Sequence, residues 1–311
     1  MRKVVVSGGL GFIGSEFVNL LLDADLADKI IVIDKETYAA DISRINFPDD
    51  GRLEYIKKDI CKVTKKDLQN ASYVVNFAAE THVDNSIKSG RPFIRTNVEG
   101  TFNLIEKCRD NVKLKKFVQI STDEVYGDMG ASNKYAADEG HPLRPSSYYS
   151  ATKTAADLLV LSAHRTYGLP YLITRSCNNF GPKQDKEKFL PTIFNSIKEG
   201  KKIPVYGDGK QIREWISVDD NVRNIAALML MKSIKNTIVN IGSGFRYHNI
   251  DIVKMVGKFL GKEVEFEFVK DRLGHDFKYA LDCSKLRAIM PDLIYTALET
   301  FLESEAKKCQ I

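Results

Sequence analysis

Short apolar runs rich in β-branched residues alternate with longer stretches of helical spacing through the first 176 residues of the chain. This alternation predicts βαβ units and a parallel sheet. The predicted strands cover 3–7, 30–34, 53–58, 73–78, 116–121 and 171–176. The predicted helices cover 15–22, about 92–109 and 149–167, and Thr64-Lys65-Lys66-Asp67 resembles a capping box that opens one more short helix. The expected fold class is therefore α/β, with a doubly wound parallel sheet.

The pattern becomes less regular beyond residue 178, where Gly, Pro and charged residues are more frequent. Within this part, 263–269 alternates like a strand and 294–307 has the spacing of a terminal helix. We therefore predict a first domain over 1–177 and a smaller mixed α/β domain over 178–311. Segments around 213–245 are candidates to return to the first domain.

Composition narrows the class of protein without identifying a function. The chain has 311 residues, 43% hydrophobic and 28% charged, which is typical of a globular protein. No apolar run approaches the roughly 20 residues of a membrane span, and the apolar start at 1–6 is too short for a signal peptide. The five cysteines are far apart and form no C-x-x-C pair, so we expect no disulfide framework, no metal and a cytoplasmic location. A net charge of +5 without a basic stripe argues against nucleic acid as a partner.

A glycine-rich segment follows the first predicted strand and opens the first predicted helix: Gly8, Gly9, Leu10, Gly11, Phe12, Ile13 and Gly14. Its glycines permit a tight turn and let a diphosphate approach free backbone N–H groups and the helix dipole. Asp34, at the end of the next predicted strand, is placed to bind both ribose hydroxyls and to repel a 2′-phosphate. NAD is therefore favoured over NADP, although Lys35 weakens the preference. The segment predicts a Rossmann domain that binds NAD, and the alternative is a glycine turn without a ligand.

Tyr149 and Lys153 lie four residues apart in a predicted helix and therefore share one face. A free tyrosine has a pKa near 10, so a base that works near pH 7 needs that pKa lowered by about three units, or about 4 kcal/mol. A lysine ammonium about 4 Å away supplies roughly that energy at an effective dielectric constant near 20, and an oxidised nicotinamide adds positive charge. Tyr148 is the alternative base, but only Tyr149 has a lysine at i+4. Without the preceding dinucleotide motif, a surface pair would be the better interpretation.

Segments along almost the whole chain match one protein family: 8–15, 33–39, 76–84, 97–101, 121–127, 146–153, 178–182, 204–215 and 271–280. With them the sequence resembles the extended short-chain dehydrogenase/reductase family, and within it the dTDP-glucose 4,6-dehydratases. Most of the segments are generic to the extended family. The specific segment contains Asp123 and Glu124, where related epimerases carry small or hydroxyl residues and decarboxylases usually have Ser before Glu. The competing interpretation of this pair is two acids that cap a strand end.

The resemblance implies dehydration of the hexose of a nucleotide sugar. Tyr149 would accept the proton of the 4-hydroxyl while C4 gives hydride to NAD⁺, with Thr122 hydrogen-bonded to the same oxygen. Glu124 would remove the C5 proton, and Asp123 would protonate the departing 6-hydroxyl before hydride returns to C6. This needs a protonated Asp123 beside an ionised Glu124, and adjacent carboxyls help to separate their pKa values. Lys153 completes the expected catalytic set.

The resemblance also implies two sets of ligand contacts. The residues expected at the cofactor are Gly8, Gly11, Phe12, Ile13, Gly14, Asp34, Lys35, Thr37, Asp59, Ile60, Ala78, Ala79, Glu80, Thr81, His82, Thr96, Tyr149, Lys153 and Asn179. The residues expected at the nucleotide sugar are His82, Thr122, Asn178, Lys188, Phe189, Pro204, Tyr206, Arg213, Asn249, Arg272, His275 and Tyr279. Arg213 and Arg272 suit the diphosphate because guanidinium groups bind it bidentately.

A homodimer is the expected assembly, formed through two helices per subunit around 93–109 and 149–167. Alternatives stay open for the reaction: UDP-glucose as the substrate, a 4-epimerase or decarboxylase on the same scaffold, or a protein that binds NAD without turnover. Thymine and uracil differ by one methyl group, worth only about 1 kcal/mol in an apolar pocket, so the sequence does not distinguish the two bases.

Overall fold

The computed structural model describes residues 1–132 and 135–309. Its strands are β1 Lys3–Ser7, β2 Lys29–Asp34, β3 Leu53–Lys57, β4 Tyr73–Asn76, β5 Lys116–Thr122, β6 Tyr171–Ser176, β7 Asn178–Phe180, β8 Ile203–Tyr206, β9 Ile212–Ser217, β10 Thr237–Ile241, β11 Arg246–His248 and β12 Phe266–Val269. Its α-helices are α1 Phe12–Asp23, α2 Val83–Lys88, α3 Arg91–Phe93, α4 Thr101–Cys108, α5 Tyr148–Tyr167, α6 Phe189–Lys198, α7 Val218–Leu230, α8 Asn249–Leu260, α9 Ser284–Ile289 and α10 Leu298–Lys308. A π-helical segment, Ile94–Gly100, joins α3 to α4 without a break.

Within the described residues, seven strands form one parallel sheet in the order β10-β6-β5-β4-β1-β2-β3. Its central strands are rich in β-branched residues and are buried on both faces, as Val4, Val5 and Val6 show. The chain order reverses between β1 and β4, so the loops after these two strands diverge and leave a crevice at their carboxyl ends. The predicted doubly wound parallel sheet is confirmed.

Helices cover both faces of this sheet. On one face α1 packs with α7, where Phe17 shares a core with Val222 and Ile225. On the other face α4 and α5 contribute Leu104 and Val160 to a second core. An apolar layer on each face therefore holds the strand ends, and the side chains that follow them, in fixed positions.

Two smaller sheets and a third core occupy most of the later chain. The sheets contain β11, β9 and β7, and β12 paired with β8. Leu190, Trp215 and Val253 belong to the core beside them. β10 instead pairs in parallel with β6 of the large sheet, and residues of α7 share the first core. The domain boundary near residue 178 stays a prediction.

The short helix predicted at Thr64 is wrong. The backbone N–H and the hydroxyl of Thr64 donate to Asp67 Oδ2 at 2.7 and 2.8 Å, as in a capping interaction. Lys58 Nζ also donates to the Asp67 carboxylate at 2.8 Å, and 65–70 forms turns. The stretch before β4 is too short to offset the cost of helix nucleation.

Candidate active site

A cavity of about 530 Å³ opens at the carboxyl ends of the large-sheet strands and extends to the smaller sheets. It is lined from Gly8, after β1, to Tyr206 of β8 and beyond. Among the residues predicted for the site, all but Asp59 and Asp123 line this cavity. Two sets of residues that are distant in sequence thus share one space, and their individual roles stay predictions.

The glycine turn has no room for larger side chains. A Cβ on Gly14 would lie 2.2 Å from Gly8 O, and a Cβ on Gly8, which has a φ of 72°, would lie 2.5 Å from Ala78 N. α1 begins at Phe12, and no side chain in the described part of the chain caps its first N–H groups. Free N–H groups and the positive end of the helix dipole therefore meet the cavity. The residues present fit the diphosphate of a dinucleotide.

Asp34 ends β2 and contacts the glycine segment. Its Oδ2 accepts a hydrogen bond from Leu10 N at 3.1 Å, and its Oδ1 accepts one from Glu36 N at 2.9 Å. Burial raises the pKa of Asp34, and these hydrogen bonds oppose the rise. Lys35 Nζ donates to Glu80 Oε1 at 3.0 Å. Because the lysine charge is paired, its expected attraction for a 2′-phosphate is weakened, which fits NAD.

Asp59 lies outside the lining of the cavity. Its Oδ1 accepts a hydrogen bond from Cys61 N at 2.9 Å, and its Oδ2 accepts one from Arg95 at 3.0 Å. The neighbouring Ile60 does line the cavity. The contact with the cofactor predicted for Asp59 is thus not visible among its hydrogen bonds and stays a prediction.

Thr122 ends β5 and begins the 3₁₀ turn Asp123–Tyr126. Glu124 N donates to Thr122 Oγ1 at 3.3 Å, and the Thr122 hydroxyl donates to Asp123 Oδ1 at 3.1 Å. Asp123 is 3% exposed, and its Oδ2 has no hydrogen-bond partner among the described residues. Burial, followed by the charges of Glu124 and Glu214, raises the pKa of Asp123 well above its usual range. Such a setting favours the protonated form of a carboxyl.

Glu124, by contrast, lines the cavity and faces cations. Burial raises the pKa of Glu124, and the charges of Arg213, Lys188 and Arg272 oppose that rise. The two adjacent carboxyls thus have different surroundings, one enclosed in the cavity wall and one close to three positive charges. The division into a protonated Asp123 and an ionised Glu124 stays a prediction, and these surroundings support it.

The two candidate tyrosines, Tyr148 and Tyr149, lie in the first turn of α5 and differ in exposure. Ser147 and Ser150 form a reciprocal capping box that fixes the first turn of the helix. Tyr149 is 8% exposed and lines the cavity, whereas Tyr148 is 61% exposed and does not. Of the two, Tyr149 is therefore the one that can reach a bound sugar.

Tyr149 and Lys153 are both buried, and burial shifts the pKa of each. Burial and the charge of Glu124 raise the pKa of Tyr149, and Lys153 Nζ donates to Ile120 O of β5. Burial also lowers the pKa of Lys153 to about 8, and the nearby Asp157 opposes the fall. The expectation that Lys153 and an oxidised nicotinamide together bring the pKa of Tyr149 towards 7 stays a prediction, and the burial of the phenol works against it.

Arg213 is a buried residue of β9 whose charge is fixed by contacts with the backbone. Its Nη1 donates to Ile212 O at 2.8 Å, and its Nη2 donates to Asp276 O at 2.9 Å. The guanidinium carbon lies 4.2 Å from the centre of the Tyr279 ring, and the Tyr279 hydroxyl donates to Asp276 Oδ2 at 2.7 Å. The cavity therefore holds a positive charge in one defined position.

Arg272 is paired with a carboxylate that sequence reasoning misses. Its Nε lies 2.7 Å from Asp84 Oδ1, and its Nη2 donates to Asp84 Oδ2 at 3.3 Å. The Tyr206 hydroxyl donates to the same Asp84 oxygen at 3.3 Å. Asp84 lies within 76–84, one of the segments that carry the family resemblance, but nothing in the sequence indicates its partners.

His275 and Lys188 occupy the same part of the cavity. His275 Nδ1 lies 2.6 Å from Asp271 Oδ1, and burial lowers the pKa of His275. Lys188 Nζ donates to Thr81 O and Oγ1 at 3.4 Å, and burial lowers the pKa of Lys188. Together with the two arginines, these groups make this end of the cavity suited to an anionic ligand.

Over residues 1–132 and 135–309, no three His, Cys, Asp or Glu side chains come together as a metal site. All five cysteines lie in these ranges, and none of them forms a disulfide. In the same part of the chain, no helix is both long enough and apolar enough to cross a membrane.

Residues 4–242 match the model of the NAD dependent epimerase/dehydratase family. Among curated relatives, the low-salt glycan biosynthesis protein Agl12 of Haloferax volcanii is 42% identical over 290 residues, with 92% of each chain covered. The dTDP-glucose 4,6-dehydratase of Neisseria meningitidis serogroup B is 39% identical, with 99% of this chain and 92% of the relative covered.

Solved structures show the same likeness over the whole chain. DesIV, a dTDP-glucose 4,6-dehydratase from Streptomyces venezuelae solved with NAD bound, has a TM-score of 0.92 at 36% identity, with 98% of this chain and 96% of DesIV covered. A UDP-glucuronic acid 4-epimerase from Bacillus cereus, solved with UDP-glucuronic acid and NAD, has a TM-score of 0.90 at 28% identity, with 99% of both chains covered. Dehydratases and epimerases thus both share this architecture.

Proposed function

The chain belongs to the NAD-dependent epimerase/dehydratase family, and on that premise we propose that it is a nucleotide-sugar 4,6-dehydratase that converts dTDP-glucose to dTDP-4-keto-6-deoxyglucose. One observation carries the proposal: the adjacent carboxyls of Asp123 and Glu124 have different surroundings beside Tyr149, because Glu124 lines the cavity near cations and Asp123 is enclosed behind it. An epimerase needs the tyrosine to take and return the proton of the 4-hydroxyl. An elimination also needs a separate base and a separate acid, and this pair supplies both.

The residues of the glycine turn, Asp34 and Asn179 would hold the dinucleotide in the cavity. When bound, the cofactor would supply a hydride acceptor for C4 and a positive charge near the tyrosine in its oxidised form, and a hydride donor for C6 in its reduced form. Tyr149 removes the proton of the 4-hydroxyl, and the Thr122 hydroxyl hydrogen-bonds to the same oxygen. Lys153 stabilises the phenolate form of Tyr149 that accepts this proton, since an ammonium in a buried site acts over short distances with little screening.

Elimination uses the two carboxyls in separate roles. Glu124 removes the C5 proton, which is acidic because C4 is a ketone, and nearby cations favour its ionised form. Asp123 gives its proton to the departing 6-hydroxyl, so that water leaves. Glu124 then returns a proton to C5, so both carbons are saturated again once C6 has received hydride.

The nucleotide end of the substrate would lie against the cationic end of the cavity. Arg213 and Arg272 bind the diphosphate, and Arg272 has to exchange its contact with Asp84 for the ligand. We also propose that the protein is a homodimer and that it acts in the cytoplasm, where its unpaired cysteines are compatible with reducing conditions.

The test is incubation of the purified protein with dTDP-glucose, with the product identified by mass spectrometry and NMR. We expect the loss of one water, a 4-keto-6-deoxy sugar and no net NADH. An unchanged mass, a C4 epimer or a loss of CO₂ would overturn the proposal. A parallel reaction with UDP-glucose decides whether the enzyme prefers thymine or uracil as the nucleobase of its substrate.

Two matched variants assign the tyrosine. Tyr149→Phe should lose roughly 10²- to 10⁴-fold in turnover, which is the usual loss for a general acid–base group. Tyr148→Phe removes the neighbouring, exposed hydroxyl and should leave turnover nearly unchanged. Equal losses in the two variants would contradict the assignment.

A further inference from the structure

A buried charged cluster lies one helical turn beyond Lys153, on the opposite side from Tyr149. Asp157 follows Lys153 by four residues on α5, so the two side chains are neighbours on one face of the helix. Lys153 is 4% exposed, and Asp157 is fully buried. Because such groups have little contact with water, the charges around them decide whether they stay ionised.

The Asp157 carboxylate is paired with Arg175, and Lys153 lies one turn away on the same helix. Arg175 Nε and Ser121 Oγ both donate to Asp157 Oδ2 at 3.0 Å, while Oδ1 has no hydrogen-bond partner within the described residues. Arg175 on β6 is 1% exposed, and its Nη1 donates to Tyr126 OH at 3.0 Å. One carboxylate thus forms an ion pair with Arg175 and also acts through its charge on Lys153, one turn back along α5.

The titratable groups on the cavity side of Lys153 do not replace Asp157. Burial raises the pKa of Tyr149, on the same helix, and of Asp123, in the turn after β5, which favours their neutral forms. Glu124, in the same turn, is close to the cations of the cavity. The negative charge that opposes the burial of Lys153 therefore comes from Asp157.

The other elements packed on α5 here bring uncharged side chains. Asn97 of the π-helical segment donates to Thr152 Oγ1 at 3.0 Å, and Phe93 of α3 packs edge-on against the first turn of α5. In the described chain, the charged neighbour on the sheet side is Arg175 of β6. Whether Lys153 stays charged therefore depends on how strongly the Asp157 carboxylate interacts with Lys153 and how strongly with Arg175.

We propose that Asp157 is a positioning residue whose carboxylate keeps the Lys153 ammonium charged beneath the reacting tyrosine, and that Arg175 limits this effect by sharing the carboxylate. The consequence for turnover rests on the proposed function, whereas the coupling of the three charges does not. Without the negative charge of Asp157, Lys153 gives up its proton at a lower pH. Without the positive charge of Arg175, and with Asp157 kept ionised by Lys153, the whole carboxylate acts on Lys153, which then keeps its proton to a higher pH.

The test is the reactivity of the Lys153 amine as a function of pH, measured in the full chain by competitive acetylation with acetic anhydride and mass spectrometry of the peptide that carries it. We expect Asp157→Asn to lower the midpoint of the titration by roughly one to three units, and Arg175→Met to raise it. Both variants break the ion pair between Asp157 and Arg175. If this pair were only structural, the midpoint of the Lys153 titration would shift in the same direction in both variants. A shift in the same direction, or no shift, overturns the proposal.

Asp157→Asn is the variant most at risk of failing to fold, because it leaves two buried cations without a counter-ion. Ser121→Ala is milder, since it removes one hydrogen bond from the carboxylate and should raise the Lys153 midpoint as Arg175→Met does. If circular dichroism shows Asp157→Asn unfolded, upward shifts in these two variants support the proposal and unchanged midpoints overturn it. A wild-type protein that converts no nucleotide sugar would refute the proposed function, while the labelling result would still decide the coupling.

Discussion

Arg272 and Asp84 form an ion pair in the lining of the cavity, with Arg272 Nε 2.7 Å from Asp84 Oδ1. Arg272 follows β12 and Asp84 lies at the start of α2, so the pair joins parts of the chain that are far apart in sequence. Both side chains are about a quarter exposed, at 23% and 26%. A diphosphate that binds Arg272 therefore competes with a carboxylate for the same guanidinium group.

We expect Asp84→Asn to tighten the binding of dTDP. The amide keeps the shape of the side chain and removes the negative charge that competes with the diphosphate. A partly exposed ion pair contributes at most about 1 kcal/mol, so the gain in Kd should be about two- to fivefold. Isothermal titration calorimetry measures it, with the exposed Asp138→Asn as the control. Weaker binding would mean that Asp84 orients Arg272 for the ligand.

Asp123→Asn should still oxidise C4 but should stall before water leaves. Asparagine has nearly the same shape as aspartic acid, yet it has no carboxyl proton to give to the 6-hydroxyl. The loss should be roughly 10²- to 10⁴-fold in dehydration. Rapid quenching and mass spectrometry should find a 4-keto sugar that retains its 6-hydroxyl, together with reduced cofactor. Full dehydration by this variant, with Asp50→Asn in an exposed loop as the control, would exclude Asp123 as the acid.

The fold could be predicted because strands that are buried on both faces read as β-branched runs, as in 3–7 and 171–176. The sequence pattern fails to predict a helix correctly where tertiary contacts determine whether and where the helix begins. The capping hydrogen bonds of Thr64 form, but turns follow because β4 begins too soon for a helix. The helix expected from 294 begins only at Leu298, and Thr296 N donates to Asp220 of α7 instead.

The candidate site was predictable wherever a motif is local in sequence, as in the glycine turn and the spacing of Tyr149 and Lys153. Spacing alone could not show that Tyr149 is buried next to Glu124. Burial and then the charge of Glu124 raise the pKa of Tyr149. It also could not reveal Asp84 and Asp157, because their partners lie on other elements of the fold. Acidic residues of this kind are frequent in any sequence, and only packing identifies their contacts.

Turnover should fall on the alkaline side with an apparent pKa near 8. Burial lowers the pKa of Lys153 from 10.5 to about 8, so the ammonium loses its proton as the pH rises through that value. The charged lysine stabilises the phenolate of Tyr149, so activity is retained below this pH and lost above it. The pH profile of kcat/KM measures this alkaline loss of activity. Lys153→Arg should raise the apparent pKa of this alkaline fall, because a guanidinium group stays charged. An unchanged apparent pKa would mean that another group causes the fall.

The helical surface formed by the segment 94–108 and α5 should be the dimer interface. Ile94, Phe102 and Leu158 are each about half exposed there, at 50%, 51% and 52%, although they are large apolar residues. In a twofold dimer each substitution occurs twice, and an unpaired carboxylate in an apolar contact is costly. Phe102→Asp and Leu158→Asp should therefore shift the protein to monomer in sedimentation velocity at micromolar concentration. Val112→Asp, at a position 98% exposed in the turn after α4, should leave the dimer intact, and a wild-type monomer would remove the interface altogether.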